Sequence, residues 1–258
     1  HIRTDLERQY VSQGRYGARI KTELEDLPRN RVAIKIDVTE GDVAGIKHIN
    51  IVGNTIFDDE TLLELLELKL PSLFSFYTKD DRYSKEKLTG DLETLESHYL
   101  DRGYLNFVID STQVSIAPNK EDVYITVNVI EGEQFTVKGV DVAGELHDIP
   151  EQSIRGLIFV RPGQIFSREA MTASEDQIER ALGNAGYTFA SATGQPVQNE
   201  DDNTVEVKFF VDAGQRAYVR RIDFTGNTFT QDEVLRREMR QMEGGWASNA
   251  LIERSKVR

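Results

Sequence analysis

Cysteine is absent from the 258 residues, which excludes disulfide staples, thiol nucleophiles and thiolate metal sites together. Long apolar runs are missing too, since no stretch approaches the roughly 18 uninterrupted apolar residues of a membrane-spanning helix. The opening residues His1-Ile2-Arg3-Thr4-Asp5 run straight into amphipathic sequence, so no signal peptide is read there. Basic residues are in deficit: 31 Lys and Arg stand against 44 Asp and Glu, a net charge of −13. Such a balance lacks the basic surface that displaces counterions from nucleic acid or docks on anionic lipid. Hydrophobic content of 39% with 29% charged residues is nonetheless that of a folded, globular chain.

Catalytic signatures are sparse as well. Histidines at 1, 48, 98 and 147 are scattered, with no HExxH pattern and no ligand-like spacing. No nucleophile elbow or phosphate-cradling glycine loop occurs. The acidic groups Asp58-Asp59-Glu60 and Glu200-Asp201-Asp202 fall at a helix start and in a turn, where carboxylates serve as caps and solvated turn residues. Asp80-Asp81 lacks the loop pattern of a calcium site. The expectation is a non-enzymatic chain with no assigned catalytic residue, cofactor or metal.

What the chain does contain is repetition. Val38-Thr39-Glu40-Gly41, Val129-Ile130-Glu131-Gly132 and Val211-Asp212-Ala213-Gly214 each precede an apolar segment ending in glycine, at Gly53, Gly144 and Gly226. Both landmarks are spaced 91 and then 82 residues apart. That period is a small domain rather than a solenoid rung, whose periods run from about 20 to 50 residues.

One module is complete from Ile46 to Gly132. Strand Ile46–Val52 stops at the turn signal Gly53-Asn54. Leu62, Leu65, Leu66 and Leu68 recur at helical spacing behind acidic residues in the first turn. Ser84 is placed to N-cap a second helix bearing Leu88, Leu92, Leu95 and Tyr99, ended by Gly103. Strands over 108–116 and 123–130 close a β-α-α-β-β unit, an α+β class. A second unit repeats the order: strand Val137–Val142, a capping box at Asp148–Glu151, helix after Ser167, and strands near 189–197 and 205–211. The ends carry parts of the same unit. Ile2 to Gly14 reads as a second helix followed by strands 16–24 and 32–38. Tyr218–Phe224 reads as a first strand, with a capping box at Thr230–Glu233 and a helix whose core stripe is Val234, Leu235, Met239 and Met242. The modules are thus expected at 1–44, 45–132, 133–214 and 215–258. The joints Gly132-Glu133-Gln134 and Gly214-Gln215-Arg216 are short enough to make adjacent modules semi-rigid.

This unit, with Gly-Tyr after its second helix and Glu-Gly at its end, resembles the POTRA (polypeptide-transport-associated) family. The strings Asp91–Leu95, Tyr99–Tyr104, Asp110–Val114 and Leu235–Gly244 are similar to the periplasmic arm of the BamA family of outer-membrane assembly factors. The resemblance implies tandem modules, each a three-stranded mixed sheet covered on one face by two helices. By likeness they are the end of a second module, a complete third and fourth, and the start of a fifth. It also implies a periplasmic scaffold that receives unfolded outer-membrane proteins, docks the lipoproteins BamB and BamD, and continues into an outer-membrane β-barrel. A two-partner secretion arm is the rival on the same fold, and a metal-dependent hydrolase a remote one.

Two candidate sites follow. Ser111, Thr112, Gln113, Val114, Ser115 and Ile116 form an expected edge strand without Lys or Pro to blunt it, suited to pairing with an added strand. The resemblance implies a client or BamB there; the plain alternative is an ordinary edge strand with Val114 and Ile116 turned into the core. Arg236, Arg237, Glu238 and Arg240 form a charged helix face, either simply solvated or, by resemblance, a docking surface for BamD. A third feature, Leu70–Tyr77, is read as an aromatic loop folded back over its own module.

Overall fold

The computed structural model describes residues 2–28, 31–70 and 82–256. The chain divides into two compact units, 1–99 with 104–132 and 100–103 with 133–258. The predicted aromatic loop lies, beyond Leu70, outside the described residues.

The first unit begins with α1 (Ile2–Ser12) and the antiparallel hairpin β1 (Arg19–Leu27) and β2 (Arg31–Thr39). Leu24, Ile34 and Val38 of this hairpin are exposed. Then come β3 (Gly45–Val52), α2 (Asp59–Leu65), α3 (Lys85–Leu100), β4 (Val108–Ile116) and β5 (Asp122–Ile130). The sheet order is β3-β5-β4, with β3 parallel and β4 antiparallel to the central β5. Period-2 alternation in β5 sends Val123, Ile125, Val127 and Val129 into the core, where they meet Ile46, Ile49, Leu62, Leu95 and Tyr99.

In the second unit β6 (Thr136–Glu145), α4 (Glu151–Arg155), α5 (Arg168–Asn184), β7 (Ser191–Asn199) and β8 (Thr204–Asp212) repeat the arrangement as β6-β8-β7. α6 (Asp232–Glu238) and α7 (Asn249–Lys256) follow. The mixed three-stranded sheets match the predicted α+β class. Gly53 and Gly144 explain the repeated glycine: both have positive φ, 99° and 118°, and a Cβ at either would collide with the carbonyl of Val129 or Val211 on the central strand.

Three expectations are corrected. Tyr218–Phe224 is not a strand; among the described residues its one ladder contact is a bridge from Tyr218 to Trp246. In both complete modules the first strand pairs with the third, and among the described residues no strand follows α7. The expected capping boxes do not form: α4 starts behind Pro150 and α6 behind Gln231, neither with a side-chain cap. Glu151 instead pairs with Arg155 at 2.6 Å, and Asn227 secures the turn before α6 by donating to the Thr230 carbonyl at 3.1 Å. Finally α2 stops at Leu65, so Leu66 and Leu68 are buried beyond the helix rather than on its stripe. The cause is Asp91, a buried carboxylate on α3 that accepts the amides of Glu67 at 2.6 Å and Leu68 at 3.0 Å. Ser174 holds the same place on α5 and accepts the Phe159 amide at 2.9 Å.

The repeated Glu-Gly mark also differs between modules. Glu131 is buried and gathers the Thr55 hydroxyl and amide at 2.7 Å, the Ile56 amide at 3.1 Å and the Tyr99 hydroxyl at 2.8 Å. Burial pushes its pKa up, but the bonds from Thr55, Tyr99 and Ile56 more than reverse this and hold it below the ordinary value of 4.5. Its stabilisation is therefore present above 4.5 and lost as pH falls through the lower folded value. Glu131→Gln is expected to cost about 2–3 kcal/mol by stranding donors and to flatten the acid side of the stability profile, as measured by urea melts at pH 7 and at successively lower pH.

Candidate functional site

β4 lies at the margin of its sheet, because the order is β3-β5-β4. A bulge between Ile109 and Ser111 leaves Asp110 out of register, after which Thr112 faces Val127, Gln113 faces Thr126 and Val114 faces Ile125. Alternate residues of an edge strand turn both backbone groups away from the sheet. Ser111, Gln113 and Ser115 take the ladder positions, and Thr112, Val114 and Ile116 face outward. Among the described residues nothing bonds to the outward amides of Thr112 and Val114. Ser111 accepts the Asn128 side chain at 2.9 Å, a cross-strand tie that stiffens the ribbon. Val114 packs against the core, whereas Ile116 is exposed, so the plain alternative holds for Val114 alone. The strand thus carries an uncharged row of outward backbone groups at Thr112, Val114 and Ile116.

The charged helix face is arranged differently from expectation. α6 ends at Glu238, and Met239 leaves it in extended conformation with ψ 137°. Met242 is therefore 67% exposed, not part of a core stripe. The buried place goes to Gln241, which donates to the Trp246 carbonyl at 2.9 Å and accepts the Ser248 amide at 2.9 Å. A polar residue between Arg240 and Met242 gives no periodic signal for this role.

Arg236 is exposed but tied to its own module. It bonds Glu243 at 2.9 Å and the Ile222 carbonyl at 2.8 Å, pairs with Asp232 at 3.4 Å, and lies 5.4 Å from the Phe224 ring. Glu243 in turn accepts the Ile222 amide at 2.8 Å. The Arg236–Glu243 pair holds the 219–224 segment where a sheet partner would otherwise hold it, above a cleft of about 240 Å³ lined by Ile222, Phe224, Met239 and Met242. The Ile222 amide and Arg236 together hold the Glu243 carboxyl below its usual range. Arg237 and Glu238 form a solvent-facing pair at 3.7 Å, and the exposed Arg240 ties its amide to Ser255 Oγ at 2.9 Å. The structure thus pairs Arg237 with Glu238, leaves Arg240 exposed just beyond the helix, and gives Arg236 a structural task.

Among the described residues no group of acidic or histidine side chains could hold a metal ion, and no helix is long and apolar enough to cross a membrane. Two measurements test the geometry. The amides of Thr112 and Val114 are expected to exchange at least about tenfold faster than those of Gln113 and Ser115 in native-state hydrogen exchange. Arg236→Ala is expected to speed exchange of the Ile222 amide without disturbing β6–β8.

The POTRA family, described as a surface antigen variable number repeat, matches residues 44–132, 135–214 and 217–258. The outer membrane protein assembly factor BamA of Neisseria meningitidis is 31% identical over 98% of this chain, and that of Buchnera aphidicola 33% identical over 96%. The chain spans 32% and 40% of the length of those two relatives. The crystal structure of Haemophilus influenzae BamA POTRA3-5 is similar with a TM-score of 0.69 and 29% identity, covering 83% of this chain and 84% of that one. With its repeat, its sheet order and these matches in agreement, the chain belongs to the POTRA family.

Proposed function

We propose that the chain is a periplasmic scaffold segment of an outer-membrane protein assembly factor, and that β4 receives an extended segment of a partner by strand addition. The observation that carries this reading is the uncovered row at Thr112 and Val114. The similarity to BamA proteins supports the setting, with modules 45–132 and 133–214 as third and fourth in the arm, flanked by parts of the second and fifth. Main-chain pairing is largely indifferent to side-chain identity, which suits unfolded outer-membrane proteins as clients and admits the lipoprotein BamB at the same edge. The surface of Arg237, Glu238 and Arg240 is the docking face for the lipoprotein BamD. No catalytic step is assigned to any residue.

The test is an amide NMR titration with a soluble, lysine-flanked nine-residue peptide taken from an outer-membrane β-barrel strand. Shifts concentrated on Thr112, Val114 and their β5 neighbours are expected; shifts on β3 alone, or none, would overturn the assignment. For the second surface, Glu238→Lys is expected to weaken BamD association by about tenfold, the scale of an interfacial charge pair, with the helical circular dichroism unchanged. Unaltered association by that variant would remove the docking role.

A further inference from the structure

The fourth-module sheet offers the same kind of margin, yet its edge is closed. β7 pairs with β8 without interruption, Ala192 facing Val211, Gly194 facing Phe209 and Pro196 facing Val207. The outward groups here are those of Ala192, Gly194 and Pro196. Glu179 Oε1 accepts the Ala192 amide at 2.9 Å, and Glu175 Oε1 accepts the Gly194 amide at 2.5 Å. Both carboxylates come from successive turns of α5, which lies against β7. Pro196 has no amide to offer, and proline belongs on an edge at such outward positions. Three consecutive outward positions therefore have no free donor.

The approach of α5 depends on Gly194, since a Cβ there would press on Met171 Cγ at 2.7 Å and Glu175 Oε1 at 3.1 Å. The opposite margin is engaged too: Arg155 Nη1 donates to the Val140 carbonyl at 2.7 Å, and Val137 bonds through both backbone groups to Gly163 and Gln164. The third module keeps an acid, Glu96, where α5 has Glu179, but differs at the places of Glu175 and Pro196. Counting from the N-caps Ser84 and Ser167, Leu92 stands where α5 has Glu175. Counting from Gly132 and Gly214 along the central strands, Thr112 stands opposite the equivalent of Gly194's partner and Val114 opposite that of Pro196's. Leu92 is apolar and packs into the core, so the Thr112 amide has no carboxylate above it, and Val114 keeps its N–H.

We infer that Glu175 and Pro196 are specificity-determining residues that close the fourth module to strand addition, so that an incoming strand is confined to β4. Charge-assisted carboxylate–amide bonds are stronger than neutral ones, and a strand approaching β7 would have to displace two of them and still find no donor at Pro196. This inference rests on the reading of β4 as the receiving edge.

The experiment uses the whole chain and the same lysine-flanked peptide, in the wild type and in the double variant Glu175→Leu/Pro196→Val. Wild type is expected to shift at Thr112 and Val114 and not at Ala192 or Gly194; the variant is expected to gain shifts at Gly194 and Val197 with affinity within about tenfold of the β4 site. Shifts on β7 of the wild type equal to those on β4 would overturn the closure. So would a variant with native circular dichroism and melting that gains none. If the wild type shows no shift at β4 while the variant binds at β7, the closure stands and the proposed receiving edge falls. Hydrogen exchange of the wild type gives a measure independent of variant folding: the Gly194 amide is expected to exchange at least about tenfold more slowly than that of Thr112, and equal rates would overturn the inference.

Discussion

Everything in the two complete modules is arranged around the pairing of the first strand with the third. That parallel pair places an all-apolar row, Val123 to Val129 or Val205 to Val211, at the centre of each sheet with helices above it. Both neighbours of the central strand draw their hydrogen bonds from it, so the third strand acts as the spine although it comes last in each unit. The consequence is visible where it is missing. Tyr218–Phe224 has the composition of a first strand, yet among the described residues it joins no sheet: Val219 bonds through both backbone groups to Gly244 and Gly245, and the Arg236–Glu243 pair holds Ile222. Gly226 shows the same loss. It keeps the positive φ of Gly53 and Gly144 but has nothing within 4 Å of where a Cβ would stand.

A second constraint recurs three times at backbone level. Ala44, Phe135 and Ala217 each donate to the carbonyl of a glycine behind a helix, Gly14, Gly103 or Gly186, and each accepts the amide of the residue before the next N-cap, Tyr83, Phe166 or Ala247. Because only backbone groups are used, residues as unlike as Ala and Phe serve equally. In the second unit the joint at Ala217 is reinforced by side chains. Arg216 lies 3.2 Å from the Trp246 ring and bonds the Ala185 carbonyl at 2.8 Å, and Asn184 accepts the Ala250 amide at 2.9 Å. Short joints and doubly used backbone groups explain why a module lacking its own sheet, as in 217–256, still has an ordered start.

Against this shared frame, the modules diverge where the frame leaves a choice. Glu131 and Ala213 occupy one repeat position, one as a buried acceptor of four donors and the other as a small core residue. Leu92 and Glu175 occupy another, and there the change decides whether an edge amide is left unpaired. Neither change disturbs the sheet, since both act outside the central ladder.

The element order of the two complete modules is legible before any coordinates, because alternation and helical spacing are local signals, whereas strand limits shift, as for β1, expected over 16–24 and found at Arg19–Leu27. Strands 108–116 and 123–130 were expected within a residue of where β4 and β5 lie, and Ser84 and Ser167 do supply their side chains as N-caps. The margin position of β4 followed from the module type. Capping at Asp148 and Thr230, the reach of the last helix to Met242, and the strand at 218–224 were misjudged, since each depends on a partner distant in sequence. Glu131 stands out as a repeat mark and Asp91 falls in the string Asp91–Leu95, but neither pattern shows the amides they accept. Glu175 and Glu179 give no signal, for an acid on a helix looks the same whether it faces water or a backbone amide. Periodicity thus set what the pieces are, through the burial each must achieve. Which backbone groups remain open, and which charges turn inward, was settled by how the helices lean on the sheet, a matter of distances that no local pattern encodes.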